Sequence, residues 1–305
     1  MNGYAPIVLF TYCRKRNTQQ VIESLLQNVE AKDSDLIIFS DAAKNIKAEF
    51  KVSETRSYLK TLQGFKSITL VEREQNYGLA KNIMQGVADV VNKYGKIIVL
   101  EDDMTVSKHF LRYMNDGLKI YQECNEVCSL HGYVFPYRKL ENLPETFFVK
   151  GGDCWGWATW KRAWNVFNPN AQELYEEIKK RNLIKQFEFD YSYGFYKMLK
   201  LQAQGMANSW AICWYASTFL KNMLTLYPNK SLIRMNGLDG EGATHGEGLD
   251  QSRYITDLNQ EKIVYFSQDI RENEEARKLF KEFHLQNKAL VNRLSYLLRR
   301  LHIRI

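Results

Sequence analysis

The sequence predicts an α/β chain, with a mostly parallel central sheet, helices on both faces and an amphipathic helix at the carboxyl end. Three observations carry this. Four short apolar runs, Pro6–Phe10, Leu36–Phe39, Ser67–Val71 and Ile97–Leu100, alternate with segments whose apolar residues recur at helical spacing, the pattern of right-handed βαβ units. Two of the runs end in acids, Asp41 after the second and Glu101-Asp102-Asp103 after the fourth. The 305 residues, 45% apolar and 25% charged, suffice for the large core of a soluble globular protein.

Taken in order, the first strand leads to a helix that Thr18 can cap and that carries Val21, Ile22, Leu25, Leu26 and Val29 inward. After the second strand, Val52, Leu59 and Leu62 predict a helix ended by Gly64. The third strand is followed by the polar loop EREQNYG. A helix then buries Leu79, Ile83, Val87, Val90 and Val91, and Gly95 stops it. Beyond the acids the sequence predicts a helix over Phe110–Tyr121 and short strands at Val127–Leu130, Gly132–Phe135 and Phe147–Lys150. Helices follow over Asn182–Ala203 and Ser209–Asn222, then a strand over Leu224–Tyr227 that Pro228 stops. At the end, Leu290, Val291, Leu294, Leu297, Leu298 and Leu301 share one helical face among lysines and arginines.

Composition bounds the function. Of the net charge of +7, +5 falls in Leu285–Ile305, so the body is close to neutral and no nucleic-acid groove is expected. The tail fits an anionic lipid surface, a partner or its own domain. No membrane-spanning apolar run and no signal peptide are seen, which predicts a cytoplasmic protein. Cys13, Cys124, Cys128, Cys154 and Cys213 make an odd, irregular set without a paired CxxC, so free thiols are expected. Neither GxGxxG nor GxxxxGK[ST] follows any strand, which argues against dinucleotide oxidoreductases and P-loop NTPases.

The chemistry concentrates where strands end. A buried strand cannot hold ionised acids, so Glu101, Asp102 and Asp103 must emerge at the carboxyl edge of the sheet, where open α/β sheets bind ligands. Three adjacent acids need positive charge between them, and a divalent cation carrying a nucleoside diphosphate would supply it; a solvated acidic turn is the alternative. Asp41 can accept from a base or ribose, or cap the segment after it. The stretch GGDCWGWATWKRAW holds four of the six tryptophans, suited to an apolar sugar face or to core filling. A glycine-rich run from Gly237 to Gly248 carries Asp239, Glu241 and His245; His245 could ligate a metal or touch phosphate.

In that order, PIVLFTYCRKR, IIFSDAAK, EREQNYGLAKNI, IIVLEDDM, CWGWATWKRAW and a closing loop with THG, the chain resembles GT-A nucleotide-sugar glycosyltransferases. It looks like the bacterial family-two-type sugar transferases of surface polysaccharide synthesis, and more distantly like N-acetylglucosaminyltransferase I. The resemblance spans Pro6 to Gly246 and lies in the ordered set. It implies one continuous GT-A domain, with a nucleotide-sugar-binding half over 1–103, an acceptor-binding and catalytic half over 104–250, and a helical basic tail over 251–305. It further implies a metal-dependent, inverting transfer of a hexosyl or N-acetylhexosaminyl group from a UDP-linked donor to a glycan or lipid-linked acceptor; the basic terminal helix would hold the enzyme at the anionic inner face of the plasma membrane. Asp41 and Arg73 would lie at the nucleotide, with Glu101 and Asp102 at the donor ribose and sugar. Asp103 would hold Mn²⁺ or Mg²⁺, and His245 would sit in the loop that closes over the donor.

The acid pair that supplies the base in N-acetylglucosaminyltransferase I is missing from the matching Trp210–Trp214. Asp153, which Gly151 and Gly152 let approach a ligand, is the first substitute, and Asp190 the second. Two other classes stay open: a nucleotidyltransferase, against which the glycine-free YCRKRN after the first strand speaks, and a non-catalytic sugar- or nucleotide-binding scaffold.

Overall fold

The computed structural model describes residues 3–236 and 251–300, with side chains for 3–236 and 253–287. Its strands are β1 Ile7–Thr11, β2 Asp35–Ser40, β3 Ser67–Glu72, β4 Lys96–Glu101, β5 Met104–Val106, β6 Val127–His131, β7 Thr146–Val149, β8 Trp157–Trp160, β9 Leu224–Pro228 and β10 Ile233–Met235. Its helices are α1 Lys15–Leu26, α2 Ile46–Leu59, α3 Leu79–Tyr94, α4 Phe110–Ile120, α5 Lys161–Trp164, α6 Ala171–Lys180, α7 Ile184–Phe187, α8 Phe195–Ala203, α9 Trp210–Leu220 and α10 Glu274–Arg300.

The apolar runs become strands because burial on both faces suits continuous β-branched sequence. Every residue of β1 is buried, as are Ile97 to Leu100 of β4. The main sheet has eight strands in the order β3-β2-β1-β4-β8-β6-β9-β7, and β5 pairs with β10 in a small second sheet. Strands β3, β2, β1 and β4 are parallel; β8 lies antiparallel between β4 and β6. This is the mixed α/β architecture with a parallel half-sheet that the sequence predicts. All five cysteines are free thiols. Among the described residues no helix is long and apolar enough to cross a membrane.

Several elements differ from expectation. Thr18 does not cap α1: the helix begins at Lys15, and buried Thr18 donates its hydroxyl to the Arg14 carbonyl at 2.9 Å. Val29 lies past the helix end and is 74% exposed. Residues 132–135 form no strand. The helix predicted over Asn182–Ala203 is split into α7 and α8 by Phe189, Asp190 and Tyr191, all at positive φ. Helix α6, amphipathic and capped by the Asn170 side chain, carries a regular helical pattern that the sequence reading passed over.

The carboxyl-terminal half packs around aromatics. Trp157 of β8 lies 5.6 Å from Trp210 and 5.7 Å from Trp214 of α9, and Trp164 lies 5.3 Å from Trp214. Helix α10 begins by burying Ala276, Leu279, Phe280 and Phe283, with Phe283 stacked on Phe135 at 4.6 Å.

Candidate active site

Register decides where the polar residues lie. Phe10 stands level with Phe39 and Glu101, and Ser40 with Glu72. The residues that follow β1, β2, β3 and β4 therefore leave the sheet at one edge: Arg14, Asp41, Arg73 and Asp102-Asp103. Strand β8 runs the other way, with Trp157 opposite Val99, so residues 151–156 enter it from that same edge.

Arg14, at the start of α1, bridges two of the acids. Its Nη2 bonds Asp102 Oδ1 and lies 3.3 Å from Asp103 Oδ2, while the Tyr12 amide donates to Asp102 Oδ2 at 3.4 Å. Burial works against the Arg14 charge, but the two aspartates outweigh it and hold its pKa above the ordinary value. Part of the positive charge that the acids require is thus supplied from within the chain. Burial pushes Asp102 up to about 6 in spite of Arg14. Burial, with the charges of Asp103 and Asp102 added, pushes Glu101 up to about 8.

Asp103 keeps Oδ1 buried with no hydrogen-bond partner. Such an oxygen is costly unless something binds it, and a carboxylate oxygen is a fitting ligand for Mn²⁺ or Mg²⁺. Among the described residues no three acids, histidines or cysteines converge on one point. A cation at Asp103 would therefore draw its other ligands from donor phosphates and water, as magnesium sites commonly do. His245, the second expected ligand, lies outside the described residues.

Asp41 is buried and accepts from the amides of Ala42, Tyr77 and Gly78, each at 2.9 Å, and from the Asn76 side chain at 3.1 Å. It ties the loop before α3 to the end of β2, the capping role, at the carboxyl edge of the sheet. Arg73 sits between the rings of Phe39 and Tyr77, 4.8 and 4.7 Å from their centroids. Its Nε donates to Asn82 at 2.9 Å and its Nη2 is buried without a partner. Arg56 of α2 fastens both neighbours: it donates to the carbonyls of Ser40 (3.2 Å), Asp41 (3.3 Å) and Arg73 (2.9 Å).

Asp153 comes to the same edge. Burial pushes its carboxyl up to about 6, opposed by the Tyr227 hydroxyl, which donates to Oδ2 at 2.8 Å. Its neighbour Cys154 is held well above the ordinary thiol range by burial and by the charges of Glu101, Asp153 and Asp103. The segment entering β8 thus brings Asp153 to the edge of the sheet at which the 101–103 run leaves β4. Asp190 does not join them through any described contact. It lies in the left-handed turn before α8 and pairs with Lys281 of α10 at 3.1 Å, which holds its carboxyl below the usual range.

The tryptophan stretch is mostly core, not a sugar-binding wall. Trp157 and Trp160 are buried because β8 is an interior strand, and Trp164 of α5 is buried against Phe167 and Trp214. Trp155 alone of the four is half-buried, edge-on to Tyr133 at 4.9 Å and Tyr254 at 5.8 Å. Arg14, Arg56 and Tyr227 were missed in the sequence. Arg14 could have been found by asking which basic residue near a strand end would neutralise the acids; nothing local marks the other two.

The comparisons bear on this edge directly. Residues 7–123 match the family model described as glycosyl transferase family 2. Over these residues, somewhat over a third of its length, the chain is similar to family 2 glycosyltransferases. The match runs from β1 past the end of α4, so it takes in Arg14, Asp41, Arg73 and Glu101-Asp102-Asp103, and stops before Asp153. The resemblance read from the ordered motifs is met there. No curated protein matches the chain. Solved structures with some likeness include S. aureus TarS at 13% identity, TM-score 0.29, covering 42% of this chain and 21% of that chain. S. aureus TarS 1–349 in complex with UDP gives 13%, 0.30, 42% and 34%, and TarS 1–349 gives 11%, 0.39, 74% and 60%. The chain thus spans from about a fifth to three fifths of the length of those proteins. Likeness at this level decides neither fold nor chemistry.

Proposed function

We propose that the chain transfers a sugar, hexosyl or N-acetylhexosaminyl, from a nucleoside diphosphate donor to a hydroxyl of a glycan or lipid-linked glycan, with inversion. The observation that carries it is that Arg14, paired with Asp102 and Asp103, and the unpartnered Asp103 Oδ1 lie within the region similar to the family 2 model, at the sheet edge from which the segment with Asp153 enters β8. Asp41 and Arg73 would hold the nucleoside, uridine by the resemblance, and Glu101 and Asp102 would face the ribose and donor sugar. A Mn²⁺ or Mg²⁺ held by Asp103 would stabilise negative charge on the diphosphate.

Asp153 is the base in this assignment. The acceptor oxygen attacks the anomeric carbon, its proton passes to the Asp153 carboxylate, and the bond to the diphosphate oxygen breaks with the electron pair leaving on that oxygen. Arg14, already placed between two carboxylates, can offer its remaining guanidinium hydrogens to the departing phosphate, where charge develops. Surface polysaccharide synthesis in the cytoplasm, at the inner face of the membrane, is the setting that the resemblance and the basic tail favour.

The test is a panel of nucleotide sugars assayed for binding and hydrolysis, with Mn²⁺ or with chelator, on the wild type and Asp103→Ala. The expected outcome is metal-dependent binding of one donor, lost by at least tenfold in the variant, as removal of a cation's carboxylate ligand predicts. A folded protein that binds no donor would leave the non-catalytic scaffold standing.

A further inference from the structure

The segment that carries Asp153 is held at nearly every residue. The Lys150 amide donates to Glu272 at 3.0 Å and the Gly151 carbonyl accepts from the Thr225 hydroxyl at 2.8 Å. The Trp155 amide donates to Nε2 of buried His131 at 3.1 Å, and the Gly156 carbonyl accepts from the Gly132 amide at 2.7 Å. In the middle of this series, Tyr227 of β9 donates its hydroxyl to Asp153 Oδ2 at 2.8 Å.

Tyr227 is 1% exposed, and its ring is fixed by His131 edge-on at 5.1 Å, Phe280 edge-on at 5.2 Å and Phe147 stacked at 6.2 Å. The hydroxyl has one described partner, Asp153. Two glycines make the approach of segment and ring feasible. A Cβ at Gly151 would lie 2.1 Å from the Tyr227 oxygen, and one at Gly152 would lie 2.3 Å from Cβ of Tyr215. The segment is therefore seated on two tyrosines of the core, with one phenol aimed at the carboxylate.

Resting on the assignment of Asp153 as base, we infer that Tyr227 is its positioning residue: the phenol fixes one carboxylate oxygen from behind and leaves the other to meet the acceptor hydroxyl. A carboxylate on a glycine-containing segment would otherwise sample several rotamers, and a base works only within hydrogen-bond reach of its proton. Neither β9 nor the 151–156 segment lies in the region matched by the family model, so the pairing belongs to this chain's own carboxyl-terminal half.

The experiment compares Tyr227→Phe, Asp153→Asn and the double variant in the full-length chain, reading kcat and acceptor and donor KM, with donor Kd and Tm alongside. Tyr227→Phe keeps the buried ring and removes one charge-assisted hydrogen bond, for which a roughly tenfold loss of kcat is expected. Donor Kd and KM should stay within about twofold, because the phenol touches neither. Asp153→Asn should lose about a hundredfold or more. The double variant should be no slower than Asp153→Asn alone, since the phenol acts through the carboxylate. A second variant, Gly151→Ala, sets a methyl against the phenol oxygen; it should also lower kcat at unchanged donor Kd, and not additively with Tyr227→Phe.

Wild-type kcat in Tyr227→Phe, or a tenfold loss that persists in full on the Asp153→Asn background, would overturn the positioning role while leaving Asp153 as base. Full activity in Asp153→Asn would overturn the base assignment itself, and the positioning role with it.

Discussion

Asp153 shows how one residue's surroundings set its chemistry. Its carboxyl is raised to about 6 by burial, against the opposing hydrogen bond from Tyr227. The other ionisable groups that sense its charge are Tyr133, Tyr193, Tyr215, Tyr254 and Cys154, all neutral at physiological pH. Among the described residues no lysine or arginine is one of them, and the phenol is the group that favours the carboxylate form. A base must be ionised to accept a proton, so kcat is expected to fall below an apparent pKa near 6, about tenfold per further pH unit. Stability should move the other way: because the folded value lies above the unfolded carboxylate's, this group favours folding where it is protonated, and its contribution is lost as pH rises from about 4 to about 6. A kcat profile that stays flat down to pH 5 would remove Asp153 from the role. Arg14 is the contrasting case, a cation that buried acids hold in place. The sequence made the acids visible but not their partner, since Arg14 and Asp102 are 88 residues apart and meet only because β1 and β4 are neighbours.

At the scale of elements, α2 is more than a connection. It presents Arg56 to the carboxyl ends of β2 and β3, where the guanidinium meets three main-chain carbonyls and the Ser40 hydroxyl at 3.2 Å, and pairs with Glu72 at 3.3 Å. The planar fork suits several acceptors at once. Its effect is to fix the spacing of Asp41 and Arg73, the two residues assigned to the nucleoside. Arg56→Ala should therefore raise donor Kd by about tenfold while changing kcat less than twofold, with a stability loss of about 2 kcal/mol from carbonyls left without donors. Arg56→Lys should recover only part of this. Unchanged donor affinity in a folded Arg56→Ala would show that the strand ends hold their spacing without α2. The sequence pattern revealed the first four strands, because each is a continuous apolar run, but not the place of β8. Trp157, Ala158, Thr159 and Trp160 look like a surface aromatic motif in isolation; they become core because the strand is inserted antiparallel between β4 and β6. The position of Asp190 was hidden for a similar reason, since the turn that breaks the predicted helix brings it to Lys281 of α10.

Across the whole molecule, basic charge is concentrated in the last residues of the chain. Through His284 the helix is part of the body: Phe280, Phe283 and His284 are buried, and Asn287 still accepts from Arg253 at 3.3 Å. After Asn287 the sequence carries Lys288, Arg293, Arg299, Arg300 and Arg304 and no acid, the concentration of basic charge that made the overall charge misleading. A cationic segment of this composition gains about 1 kcal/mol per lysine or arginine near an anionic surface and loses it with salt. A lipid-linked acceptor would be met at such a surface, which is the setting proposed for the transfer. Truncation after Asn287 is therefore expected to leave Tm and donor Kd unchanged, because the described contacts of α10 with the body, through Phe280, Phe283, His284 and Asn287, all precede the cut. It should abolish co-sedimentation with vesicles containing anionic lipid, and wild-type binding should weaken steeply as salt is raised. Unchanged sedimentation of the truncated chain would place any membrane contact on the folded body. A large fall in Tm would instead assign the terminal segment to packing.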